Sequence, residues 1–171
     1  TYGSAKVAYI GISDPQTISK SGASFKNSDG SAAYSFADGS GGKKLYEAVQ
    51  NAIDEAKAAG ADYIVAIGHL STTGDAAYTP KSVIDNTTGI QAFIDGNTHT
   101  AIVGEKVKGA DGGEALLTCA GAGLNNIGVL TITAGKSISS QLVNSYRLRD
   151  IKTKDGIDAL TKKYKQNLQE S

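Results

Sequence analysis

The chain has 171 residues, 17 basic and 17 acidic side chains, a formal net charge of zero and 40% hydrophobic residues. This length and apolar content indicate one folded domain with a core of fair size. The balanced charge gives no field that would attract nucleic acid or an anionic membrane, and no stretch approaches the apolar length of a transmembrane helix.

Strands and helices alternate in the first part of the chain. An apolar strand is expected at residues 6–12, and a Ser/Gly-rich segment, residues 13–42, follows as either a functional loop or a partly mobile one. Residues 43–59 predict an amphipathic helix, because apolar side chains recur at helical spacing and Gly60 follows as a terminator. A buried strand is expected at residues 63–67, and a short helix starts near Pro80.

The later part of the chain is richer in β-structure and mainly antiparallel. A short apolar strand is expected at residues 90–94, and a final amphipathic helix at residues 155–169. Further strands are expected at residues 101–106, 115–118, 128–133 and 138–147, with turns at 109–113 and 134–136. Strand–helix units followed by hairpins predict an α/β fold in which two sheets pack face to face with helices outside.

Both histidines of the chain stand just after apolar strands. His69 closes the strand that begins at Tyr63, and His99 follows residues 90–94 within the run Asp-Gly-Asn-Thr-His. In open α/β sheets, ligands bind at the carboxyl ends of the strands. Imidazole and carboxylate groups are also common ligands of zinc, manganese and iron. The pattern therefore predicts a candidate metal site at one edge of a sheet.

Four segments in a fixed order resemble one known family. They are the strand at residues 6–13, Gly-His-Leu-Ser at 68–71, Asp-Gly-Asn-Thr-His-Thr at 95–100, and the glycine loop with its following strand at 119–132. Together they resemble the calcineurin-like metallophosphoesterases, in the branch of the bacterial 5′-nucleotidases and 2′,3′-cyclic-nucleotide phosphodiesterases. The resemblance covers roughly residues 5–150.

The resemblance implies that this chain is one part of a larger fold. The expected fold is part of a four-layer α-β-β-α sandwich, with residues 1–150 as the carboxyl-terminal half of the phosphoesterase domain. Residues 151–171 are then a linker helix that leads toward an absent nucleotide-recognising domain. The sequence starts at Thr1 and contains no methionine, so we expect a longer parent protein.

The resemblance also implies a set of metal ligands, namely His69, Asn97 and His99, for a two-metal site of the zinc, manganese or magnesium type. Such a site clamps the phosphoryl oxygens and generates a hydroxide. The family has histidine where this chain has Asn97, and its Asp-x-His and Gly-Asn-His-Asp motifs do not occur here. No catalytic residue is therefore assigned to this chain. Activity would need the missing amino-terminal half, or a partner chain, and a nucleotide substrate.

Simpler interpretations exist for the same residues. Both histidines can serve only as hydrogen-bonding groups, and Asn97 can be a turn residue, since Asp, Gly and Asn favour turns. Asp95 is expected to be a turn or cap residue outside the metal site. Cys119, the single cysteine, is expected to be a buried packing residue.

Two functions of different classes remain open at this point. One is part of a metal-dependent nucleotide phosphohydrolase that is inactive as an isolated chain. The other is a non-catalytic cell-surface or small-ligand-binding module that keeps the phosphoesterase fold. Relatives of this type are exported, so an extracellular, periplasmic or cell-wall location is expected from the resemblance.

Overall fold

The structure is a computed structural model that describes residues 3–20, 25–37, 39–70, 76–133, 135, 137–148, 162 and 166. Its helices are α1 (Thr17–Lys20), α2 (Lys43–Ala58) and α3 (Pro80–Asp85). Its strands are β1 (Val7–Ser13), β2 (Tyr63–His69), β3 (Ala92–Asp95), β4 (Ala101–Lys108), β5 (Glu114–Ala120), β6 (Asn126–Thr133) and β7 (Ser137–Asn144).

Within the described residues, five strands form one sheet in the order β1-β2-β3-β5-β4. The first four strands in that order run parallel to one another, and β4 runs antiparallel to β5. The expectation of a mainly antiparallel later part is correct, since β4 with β5 and β6 with β7 pair antiparallel, whereas β5 pairs parallel with β3. Strand order depends on which apolar faces pack together in space, and the local sequence does not encode it.

Helix α2 covers one face of this sheet. Leu45, Val49 and Ile53 lie on successive turns of α2 and are buried, so they form the apolar stripe that helical spacing predicts. They share one core with Ile64 and Ala66 of β2. The helix ends at Ala58, and Gly60 follows it as expected, with a φ of 81° in the left-handed region that glycine adopts without strain.

Helix α3 begins where the sequence predicts. The Oγ1 of Thr79 accepts a hydrogen bond of 3.1 Å from the N–H of Ser82, and Pro80 occupies the first turn. Val83 and Ile84 point into the same core and are fully buried.

Strands β6 and β7 form an antiparallel hairpin over the other face of the sheet. The Oγ of Ser140 on β7 lies 2.9 Å from the Oγ1 of Thr118 on β5, and the N–H of Gly135 donates to the Tyr63 hydroxyl at 2.9 Å. The described residues therefore form a helical layer, a five-stranded sheet and a two-stranded sheet. This mixed α/β arrangement confirms the predicted fold class.

Three sequence expectations differ from the structure or lie beyond it. The last strand ends at Asn144 rather than at Arg147, because the Asn144 side chain accepts the N–H of Tyr146 and turns the chain into the 3₁₀ segment Ser145–Leu148. The boundary at residue 150 and most of the predicted helix at residues 155–169 lie outside the described residues. Only Lys162 and Gln166 of that helix are described, and both are helical.

Candidate functional site

The candidate site lies where the parallel strands β1, β2 and β3 end. Ser13 is the register partner of His69, and Gly68 is the partner of Asp95. Because parallel strands end at the same edge of a sheet, the turn after β3 is brought next to the end of β2. This is the edge at which the sequence predicted a site.

His69 is exposed at this edge, with Gly68 before it on β2 and Gly96, in the turn after β3, beside it. A Cβ at Gly68 would collide with the ring of Phe93 and would lie 3.3 Å from the Oδ1 of Asp95. A Cβ at Gly96 would lie 3.7 Å from the Nδ1 of His69. The imidazole of His69 therefore lies alongside the backbone of Gly96.

Like Asp14 just after β1, Asp95 is a buried charged group of this edge, with only 4% of its surface exposed. Its Oδ1 accepts a hydrogen bond of 2.9 Å from the N–H of Leu70, and its Oδ2 is buried with no partner among the described residues. Burial raises the pKa of Asp95 above its ordinary value. The N–H groups of Leu70, Gly96 and Asn97, together with nearby His69, act against that rise in pKa.

The turn after Asp95 carries the remaining candidate residues. Asn97 and Thr98 are half-buried, and the Thr98 Oγ1 is buried without a hydrogen-bond partner in the described part of the chain. His99 is exposed, and its φ of 56° lies in the left-handed region, which histidine enters more readily than most residues. The chain reverses at His99 and enters β4.

The structure thus places His69 beside the turn that holds Asn97 and His99. Within the described residues, no three His, Cys, Asp or Glu side chains form a group that could hold a metal ion. Two imidazoles and one amide do not fit a two-metal centre without further ligands. The assignment of His69, Asn97 and His99 as metal ligands therefore stays a prediction, and we derive no chemical step through a metal.

Asp95 has a larger role at this edge than the sequence predicted. Its expected role as a turn or cap residue is correct in part, because it caps a backbone N–H. The N–H at 2.9 Å belongs to Leu70, on the neighbouring strand end, and the N–H groups of Gly96 and Asn97 in its own turn also favour the charged carboxylate. The sequence contains one indication of this role, because the carboxylate of Asp95 directly follows three apolar residues of a strand. Cys119 is buried, as expected, and only 1% of its surface is exposed.

Comparison with known proteins found one solved structure with a similar fold. No protein-family model matches the sequence, and no curated protein matches it. The solved structure of a 5′-nucleotidase precursor from Thermus thermophilus is similar, with a TM-score of 0.62 and 22% sequence identity. The chain shares its fold with part of a 5′-nucleotidase. The likeness covers 83% of this chain but only 28% of the other protein.

The shared fold agrees with the family that the ordered motifs indicated. At 22% identity the likeness establishes architecture and does not extend to activity. Among the described residues, no helix is both long and apolar enough to cross a membrane.

Proposed function

We propose that this chain is part of a metal-dependent phosphohydrolase that acts on nucleotides, either as a 5′-nucleotidase-like phosphomonoesterase or as a cyclic phosphodiesterase. One observation carries the proposal. The two histidine motifs stand at adjacent carboxyl ends of parallel strands, in a fold shared with part of a 5′-nucleotidase. His69 and His99 would serve as metal ligands, with Asn97 as a weaker third.

The proposal includes a partner, namely the missing amino-terminal half of the domain or a chain that replaces it. The support is an apolar surface on the sheet face opposite α2. Tyr9 on β1 and Ile67 on the adjacent strand β2 are 53% and 45% exposed there. Exposed large apolar side chains of this kind mark surfaces that another element covers. The partner would also bring the ligands that this chain lacks.

The isolated chain should be inactive. A two-metal site needs more ligands than His69, Asn97 and His99 supply. We therefore expect no metal-dependent hydrolysis of AMP or p-nitrophenyl phosphate by the chain alone. Robust turnover by the purified chain, abolished by a chelator, would show that the assignment of missing ligands is wrong.

The decisive experiment supplies the missing half. The chain is coexpressed with the amino-terminal half of its parent protein, and hydrolysis of AMP and of 2′,3′-cyclic AMP is measured with added zinc or manganese. We expect activity that His69→Ala and His99→Ala each reduce by about a hundredfold or more, because loss of a group that only supports a metal ligand already costs about 10–100-fold. Tyr146→Ala, at an exposed position on the turn after β7, is the control and should leave activity unchanged.

Asn97 supports a second candidate of a different class. An amide has no imidazole lone pair, so replacement of a histidine ligand by Asn97 would weaken metal binding and favour a non-catalytic binding module. In that case the coexpressed protein would bind AMP but would not hydrolyse it. For either function we propose an exported protein, and this location rests on the family resemblance alone.

A further inference from the structure

The β6–β7 hairpin carries no charged side chain. Neither Asn126–Thr133 nor Ser137–Asn144 contains Asp, Glu, Lys or Arg. An antiparallel sheet with one face in water normally has polar side chains on that face, and charged residues protect its edges from pairing with other chains. The composition of the hairpin therefore indicates that another element covers its outer face.

The outer face of the hairpin is apolar at one end. A Cβ at Gly128 would lie 3.8 Å from the Cβ of Ala120, so Gly128 faces the five-stranded sheet. Because side chains alternate along a strand, Ile127 and Val129 point away from that sheet. Val143 is the register partner of Ile127 and points the same way. Ile127 is 48% exposed on this face.

Leu124 adds an apolar side chain where β6 begins. It is 89% exposed, and its φ of 55° lies in the left-handed region that bulky residues rarely adopt. The N–H of Asn125 closes the turn onto the Ala122 carbonyl at 3.2 Å, and the N–H of Ser145 donates to the Asn125 carbonyl at 2.9 Å. Leu124 is thus held beside the point where the chain leaves β7. We define the outer patch as Leu124, Ile127, Val129 and Val143.

The two longest helices of the described residues do not cover the outer patch. Val49 of α2 and Val83 of α3 belong to one core, which lies on the far side of the five-stranded sheet. A sheet with an apolar face needs a further layer packed against that face. The described residues supply three layers, so the outer patch indicates a fourth.

The carboxyl-terminal segment has the pattern of an element that fits this surface. The sequence predicts a helix at residues 155–169 with one apolar face, formed by Ile157, Leu160, Tyr164 and Leu168. Lys162 and Gln166 are helical and exposed. At the angular spacing of an α-helix they lie about 140° and 180° around the axis from Ile157. The exposed side of the helix is therefore opposite its predicted apolar face.

The length of the chain allows this helix to return to the hairpin. The chain leaves β7 at Asn144, next to Leu124, and passes through Ser145–Leu148. The residues between, 149–154, can span at most about 20 Å. The predicted helix would be about 22 Å long, and the eight-residue strands of the hairpin are about 27 Å long. A tether this short gives the segment a high effective concentration at the outer patch, which favours it over a separate chain.

We propose that the helix at residues 155–169 packs its apolar face against the outer patch of the same chain and forms the fourth layer. The docked helix also braces a loop beside the candidate site. A Cβ at Gly121, in the loop that carries Leu124, would lie 3.4 Å from the Cβ of Ala101, which follows the turn of His99. This docking does not depend on the proposed hydrolysis.

Paramagnetic NMR on the full chain tests the docking. A spin label is attached at Lys162→Cys, on the exposed side of the helix, and Cys119 does not compete because it is only 1% exposed. We expect the amide signals of Ile127 and Val143 to lose intensity relative to the same sample with the label reduced. The amide signals of α2, across the five-stranded sheet, should keep their intensity.

Two matched pairs of variants identify the surfaces. Leu160→Asp places a charge on the apolar face of the helix and should abolish the loss of intensity, whereas Gln166→Asp adds the same charge on the exposed side and should not. Ile127→Asp should also abolish it. Val103→Asp changes a 56% exposed apolar position on β4 and should leave it intact. Circular dichroism checks the fold of each variant, and Leu160→Asp decides the question if Ile127→Asp does not fold.

Four results would overturn docking within one chain. The first two are unchanged hairpin signals in the labelled chain, and a loss of intensity that persists in Leu160→Asp. The third is a loss of hairpin intensity when a labelled chain is mixed with a separate isotope-enriched chain, because a second copy would then cover the outer patch. The fourth is disappearance of the effect on coexpression with the amino-terminal half, which would mean that this half covers the patch. None of these signals depends on a metal or on AMP, so the docking and the phosphohydrolase proposal fail separately.

Discussion

The carboxylate of Asp95 accepts the backbone N–H of Leu70 across a distance of 2.9 Å, and this bond joins the ends of two neighbouring strands. Leu70 follows His69, and Asp95 precedes the turn that leads to His99. Because both partners are buried, the bond is shielded from competition by water. It therefore fixes the position of one histidine-bearing segment relative to the other.

Asp95→Ala should destabilise the chain by about 1–3 kcal/mol, because the buried N–H of Leu70 would lose its acceptor. Asp95→Asn retains an oxygen at the same position and should cost much less. Urea denaturation of both variants measures the difference in free energy of unfolding. Equal losses in the two variants would show that the hydrogen bond to Leu70 is not what Asp95 contributes.

The same carboxylate should make folding stability depend on pH. Burial raises the pKa of Asp95 above its ordinary value, so the folded chain binds this proton more tightly than the unfolded chain. The stabilisation from Asp95 is then fully present below the unfolded pKa and is lost as the pH rises through the folded pKa. The side chain in Asp95→Asn does not titrate. The free energy of unfolding of the wild-type chain should therefore fall, relative to that of Asp95→Asn, between about pH 3 and neutrality. A constant difference across that range would contradict the raised pKa.

Gly68→Ala should destabilise the chain by about 1–3 kcal/mol, because the added methyl group meets the Phe93 ring and the Asp95 carboxylate at once. Gly11→Ala is the matched control. Gly11 lies on the adjacent strand β1, and a Cβ there meets no atom within 4 Å. Thermal unfolding of the two variants provides the comparison, and a cost at Gly11 as large as that at Gly68 would point to backbone effects instead.

Local patterns predicted much of this fold. The stripe of Leu45, Val49 and Ile53 identifies α2, and the apolar runs before His69 and Asp95 identify β2 and β3. The same runs placed both histidines at strand ends. These features depend on periodicity and on turn residues, which are local properties of a sequence.

What the sequence did not predict depends on non-local contacts. The parallel pairing of β5 with β3 follows from how the sheet packs against α2 and α3, and nothing within residues 114–120 encodes it. The bond from Leu70 to Asp95 likewise joins residues that become neighbours only when β2 and β3 align.

The thiol of Cys119 should react with a thiol reagent only when the chain unfolds. Cys119 is on β5 and 1% exposed, and it is the single cysteine of the sequence. Labelling with a chromogenic disulfide reagent in increasing urea should therefore follow the same transition as circular dichroism. Rapid labelling in the absence of urea would mean that β5 opens locally, at a urea concentration well below that of global unfolding.

Asn97→His should strengthen metal binding in the completed domain. An imidazole at this position would add a neutral nitrogen ligand beside His69 and His99, whereas the amide of Asn97 offers only a weak carbonyl oxygen. Calorimetric titration with zinc should show weak binding by the wild-type chain alone. Tighter binding is expected when Asn97→His is combined with the amino-terminal half, by about tenfold to a hundredfold. His99→Gln, added to Asn97→His, tests whether residues 97 and 99 bind the same ion. If they do, the gain in zinc affinity should be lost, and if they do not, it should remain. An unchanged affinity in Asn97→His would exclude residue 97 from the metal shell and leave the turn role of Asn97 as its explanation.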